Sequence, residues 1–154
     1  KGDAPETHIA LIMALRAAGR QTEIFEKTGN ALQKFAANEI LLNISAEINE
    51  ETGNYNRAVE FYETLARLRP DSADYQISLA ETYLRLERDT EAIAAARRAL
   101  ELETKHPLAH FYLGKVYFEL GQHEEAAENF QKAADIDQKF ADAFYFHQFF
   151  LRFG

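Results

Sequence analysis

PLAHFYLGKVYFELGQHEEAAENFQKAADIDQKF, residues 107–140, is the stretch from which the fold can be read. It reads as two short helices joined by a turn at Gly121. Helical spacing puts Leu113, Gly114 and Tyr117 on one side of the first helix. It puts Ala126, Phe130 and Ala133 on one side of the second. The small residues Gly114 and Ala126 let the two axes approach closely. One such pair buries too little surface to stand alone and needs copies of itself stacked alongside. Stepping back by the length of the unit finds them. Ala126 leads back to Ala92 and Ala58, Gly114 to Ala80 and Ala46, Phe130 to Ala96 and Tyr62, Ala133 to Ala99 and Leu65, and Gly121 to Glu87 and Gly53. Three units, 39–72, 73–106 and 107–140, follow one another without insertion.

With Leu113-Gly114 followed by Tyr117, then Ala126, Phe130 and Ala133, and with Pro70 closing the unit at 39–72, the chain resembles the tetratricopeptide-repeat (TPR) family. It departs from that pattern in having no Trp, whose place is taken by Leu42, Gln76 and His110. Thr104 and Gln138 replace the closing proline, and Asn49 stands where Tyr83 and Tyr117 stand. The resemblance implies an all-α, right-handed superhelical solenoid of antiparallel helix pairs. It would have three regular 34-residue repeats and irregular flanking helices.

The flanks are 1–38 and 141–154. Residues 1–5 read as a frayed end, and Ile9, Ile12, Met13 and Leu15 suggest a helix stopped by Gly19. Gly19 lies one repeat length before Gly53, so 5–38 fits a fourth, degenerate unit. The competing reading ends a short helix at Gly29 and starts a longer one at Asn30, running through Phe35 and Ile44 to about Glu51. No proline separates Phe35 from Ile40, which favours the longer helix. At the other end, ADAFYFHQFFLRFG begins as another first helix should, with Phe144 at the Trp place. A helix this apolar around its circumference is normally buried. Coverage by a second chain is expected, as a homodimer or swapped pair, in a fragment of a longer protein.

Composition narrows the function. The formal net charge is −8. Residues 5–38 carry about +1 and the three units −4, −2 and −3. Nucleic-acid backbones need clustered Lys and Arg, so nucleic acid is not an expected partner. There is no run of about 18 apolar residues to span a membrane. A chain without Cys has no disulfides or thiolate metal sites. It begins at Lys1 rather than Met, as an excised fragment or mature form would. A soluble chain is expected, cytoplasmic in preference to other compartments. His106 and His110 have ligand spacing, but Pro107 starts the helix between them and no third ligand is near, so no metal is expected. No nucleophile context and no phosphate-binding glycine loop is present, so neither enzyme activity nor a cofactor is expected.

In the TPR proteins that this chain resembles, the face of each first helix opposite the buried stripe lines a groove that grips a peptide or helix. Here the implied groove residues are Asn43 and Glu47; Ser78, Glu81 and Arg85; Phe111, Tyr112, Lys115 and Phe118; and Tyr145, Phe146 and Phe149. TPR co-chaperones hold a carboxylate there with Lys, Asn and Arg. This face has no basic cluster and runs from acidic to aromatic. The expected ligand is therefore a protein or peptide with basic and bulky apolar residues. Truncating Phe111 and Tyr112 is expected to remove binding and spare the fold. The alternative is a self-associating structural subunit that uses its aromatic carboxy-terminal helix.

Overall fold

A computed structural model describes residues 4–153, apart from the side chains at 146, 147, 149–151 and 153. Every described element is helical. The helices are α1 (Pro5–Ala17), α2 (Gln21–Lys34), α3 (Glu39–Glu51), α4 (Tyr55–Leu68), α5 (Ala73–Arg85), α6 (Asp89–Leu102), α7 (Pro107–Glu119), α8 (His123–Ile136) and α9 (Ala141–Phe153), with a 3-10 turn at Gln138–Phe140 before the last. The chain forms two compact units, Lys1–Pro70 and Asp71–Gly154. The first holds the pairs α1/α2 and α3/α4. The second holds α5/α6 and α7/α8, with α9 packed on α8.

The repeat extends to the backbone hydrogen bonds that end each first helix. Gly19, Gly53 and Gly121 have φ of 69°, 75° and 73°, and Glu87 has 56°. After each, the next amide reaches back to a carbonyl in the last turn: Arg20 N–H to Leu15 O, Asn54 N–H to Asn49 O, Arg88 N–H to Tyr83 O and Gln122 N–H to Tyr117 O, at 2.7–3.0 Å. These pairings satisfy carbonyls that a helix end would otherwise leave bare, and they require the left-handed conformation that glycine adopts without cost. A side chain at that conformation costs roughly 1–2 kcal/mol. Part of this is offset because glycine loses more freedom on folding. Since Glu87 is exposed, Glu87→Gly is expected to stabilise the protein by about 0.5–1 kcal/mol. Chemical denaturation checks this, and an unchanged or lowered midpoint contradicts it.

The structure corrects the amino-terminal expectation. α2 runs unbroken through Gly29, and the break falls at 35–38, not at Gly29. Glycine inside a helix costs about 1 kcal/mol relative to Ala. Burial of Ile24 and Ala31 along the same helix outweighs that cost. The next helix starts at Asn38, not Asn30: its side chain accepts from the Leu41 amide at 3.0 Å. The unit's core then forms from Ile12, Leu15, Ile24, Ala31, Leu41, Ile44 and Ile48, with Ile9, Leu32 and Phe35 packed against it.

In the second unit the seams are built from small residues. Ala80, Ala92, Ala96 and Ala99 are buried where α5 meets α6. Where α7 meets α8, the buried residues are Leu113, Val116, Ala126, Phe130 and Ala133. Gly114 lies directly under the Phe130 ring.

Candidate partner-binding face

In the first unit, the acidic end of the implied groove is answered from within the protein. Arg16, on α1, donates to Glu47 Oε2 at 2.6 Å and also to Glu51. Asn43 donates its amide to the other Glu47 oxygen at 2.6 Å. The hydrogen bond to Glu47, followed by that to Glu51, holds the Arg16 guanidinium above its ordinary pKa, against a smaller opposing effect of desolvation. These groups are all partly solvated, so each pair contributes about 0–1 kcal/mol. Arg16 is not among the residues singled out from the sequence. The available signal is its place one repeat length before Glu50, which puts it on the same face one pair earlier.

In the second unit, packing takes up much of the face. Ile77, Leu84 and Tyr112 are buried, Tyr112 to 7 % exposure. Phe111 is half-buried, with its ring centroid 5.5 Å from Tyr112, 6.0 Å from Phe130 and 5.2 Å from Phe140. Tyr112 is therefore core, and Phe111 is largely packing. Here α5 and α7 each touch their own partner helix and also each other, and α7 touches α6 as well, so one apolar stripe is not enough. The solvent-facing remainder is mixed in charge. Glu81 and Arg85 pair at 3.6 Å, and Lys115 lies 5.8 Å over the Phe111 ring. Ser78 and Phe118 are half-buried, with Phe118 edge-on to His123 at 5.6 Å. Tyr145 is 64 % exposed, edge-on to Phe144 at 5.7 Å. The side chains of Phe146 and Phe149 lie outside the described residues.

The two candidate metal ligands have other roles. His106 precedes Pro107 as the buried N-cap residue of α7, with Nε2 3.7 Å from Asp74 Oδ1. His110 Nδ1 lies 3.1 Å from Asn129 Oδ1. Among the described residues, no group of three His, Cys, Asp or Glu could hold a metal, and no helix is long and apolar enough to cross a membrane.

The arrangement is similar to that of known repeat proteins. The crystal structure of MamA protein superposes with a TM-score of 0.82 at 24 % identity, covering 90 % of this chain and 76 % of that one. A thermophilic TPR protein of Thermus thermophilus gives 0.75 at 20 % identity, covering 96 % and 83 %. Both likenesses concern the fold. Among sequences, DnaJ homolog subfamily C member 7 of Mus musculus is 31 % identical over 105 residues, which is 64 % of this chain and 21 % of that protein. The chain thus spans about a fifth of that relative's length. The model of the family described as "Anaphase-promoting complex, cyclosome, subunit 3" matches residues 51–133, more than half of the chain. The chain belongs to this tetratricopeptide-repeat family, whose fold mediates protein–protein interaction.

Proposed function

We propose that the chain is a non-catalytic interaction module and that its second unit holds a peptide or helix of a partner protein on the exposed first-helix face of α5, α7 and α9. The observation that carries this is Tyr145, an aromatic ring 64 % exposed at the register position of Phe111 one pair later. Large exposed aromatics beside a polar rim are the residues that anchor interfaces. Asp74, Glu81 and Glu119 on the same helices supply acidic charge, so the partner segment carries basic residues beside bulky apolar ones. A partner's cation has to displace Arg16 and Asn43 from Glu47 in the first unit, both at 2.6 Å, but only the longer 3.6 Å contact of Arg85 from Glu81, which makes Glu81 the more informative position to change.

Peptide-library selection on the intact chain should return basic sequences with bulky apolar anchors. Tyr145→Ala should weaken the selected peptide about tenfold or more. Glu81→Lys should slow its association and flatten its salt dependence. Both side chains are solvated, so helix content stays the same. Unchanged affinity in both variants would move the site off this face. The alternative reading, self-association through α9, uses the same exposed ring. Sedimentation at several concentrations separates the two: a mass that grows with the chain's own concentration and returns to monomer in Tyr145→Ala favours self-association.

A further inference from the structure

We propose that the first unit carries a binding pocket for an uncharged phenolic ring, separate from the face above. Its origin lies in the repeat. Thr28 stands one repeat length before Tyr62, at the place that Phe130 fills in the last full pair. Asn49 stands at the place of Tyr83 and Tyr117. Where α4 and α8 put a ring, α2 has Thr28, and where α5 and α7 put one, α3 has Asn49. The result is a pocket of about 530 Å³ between α2, α3 and α4, on the side of α3 away from Asn43 and Glu47. That volume is within the range of small-molecule sites. Gly29, on its wall, adds no side chain, and a methyl there would meet nothing within 4 Å. Phe25, Leu32, Ile48 and Phe61 supply the apolar lining.

The chemistry of the occupant follows from two polar groups. Thr28 is 3 % exposed, lines the pocket, and its hydroxyl has no hydrogen-bond partner. A threonine or serine inside a helix usually returns its hydroxyl to the carbonyl one turn back. Ser45 does so to Leu41 at 2.9 Å and Thr82 to Ser78 at 2.7 Å. In the conformation shown, the Thr28 hydroxyl is sealed from solvent as well as unpaired, which is costly, and a turn about χ1 offers it to an occupant of the pocket that Thr28 lines. Arg57 does not turn the mouth into an anion site. Its guanidinium is paired with Glu60 and lies 5.1 Å over the Phe61 ring. A flat ring bearing one hydroxyl matches both the aromatic lining and the single orphaned hydroxyl. Such a ring can come from a free phenol or from the tyrosine of a partner.

Titration of the intact chain with p-cresol, followed by amide NMR, tests this. Shifts should centre on Thr28 and Asn49, and toluene should bind about five- to tenfold more weakly than p-cresol, the worth of one hydrogen bond. Thr28→Val should remove that difference and leave toluene unchanged. Thr28→Tyr should fill the space, abolish both ligands and raise the melting temperature. If that variant does not fold, the valine result decides. Peptides with a central tyrosine or phenylalanine identify the source: tighter binding than p-cresol by the tyrosine peptide alone marks a side-chain site, and weaker binding marks a free phenol. Absence of shifts at Thr28 and Asn49, or equal affinity for p-cresol and toluene in the unaltered protein, overturns the proposal.

Discussion

Phe111→Ala combined with Tyr112→Ala is expected to unfold the second unit, not to yield a folded protein that has lost its partner. Tyr112 is buried, and Phe111 touches the rings of Phe130, Phe140 and Tyr112. Truncating a buried aromatic to Ala costs about 3–5 kcal/mol, and a half-buried one somewhat less. The two side chains touch, so their costs do not simply add. A joint loss of roughly 5–7 kcal/mol follows from those figures, comparable with the whole stability of many domains. Circular dichroism with urea denaturation measures it. Loss of a large share of the helical signal, or of the later part of the transition, is the expected result. A double variant with full helicity and stability lowered by less than about 1 kcal/mol would show that both rings are surface groups. Partner loss in this variant therefore cannot be read as loss of an anchor. Tyr145 and Glu81 are the positions where binding separates from folding.

The repeat length, the small residues at the seams and the glycine that ends α1, α3 and α7 were legible because each is a local requirement repeated in register. Gly53 and Gly121 adopt the left-handed conformation their sequence suggests, and the same step finds Glu87 and Gly19. The split of the first helix face between packing and solvent was not legible. Ile77, Leu84, Phe111 and Tyr112 fall on the groove side by angle, but helix contacts between successive pairs use that side too. An apolar residue reads the same in either role. The break at 35–38 was missed because Gly29 is the stronger breaker locally, while the cap at Asn38 and the buried stripe of α2 act over a longer range. The pairing of Arg16 with Glu47 and Glu51 joins two different helix pairs, so only the helix register suggested it. The pocket is further from view, since it arises where two separate departures, Thr28 and Asn49, line the same space.

Gly114→Ala is expected to destabilise the protein although it removes a helix-interior glycine. Taken alone, the change should gain about 1 kcal/mol in helix propensity. The new methyl, however, would lie 2.7 Å from two carbons of the Phe130 ring and 3.0 Å from a third. That ring is 6 % exposed and backed by Phe111, so it cannot swing away freely. Overpacking of this kind costs about 1–3 kcal/mol, which set against that gain leaves a net loss of up to about 2 kcal/mol. Phe130→Ala should cost about 3–5 kcal/mol by itself, through the cavity it leaves. In that background the clash is gone, and Gly114→Ala should recover its gain of about 1 kcal/mol. The pair before shows the same solution, with Ala80 and Ala96 at the corresponding places, both buried. A double-mutant cycle by denaturant unfolding should therefore give a coupling of about 1–3 kcal/mol between positions 114 and 130. Ala46 stands at the equivalent place to Gly114 with the ring of Tyr62 in the same pair, both buried. A cycle with no coupling would mean that Phe130 can accommodate a methyl as Tyr62 does, and that the α7/α8 crossing does not depend on glycine.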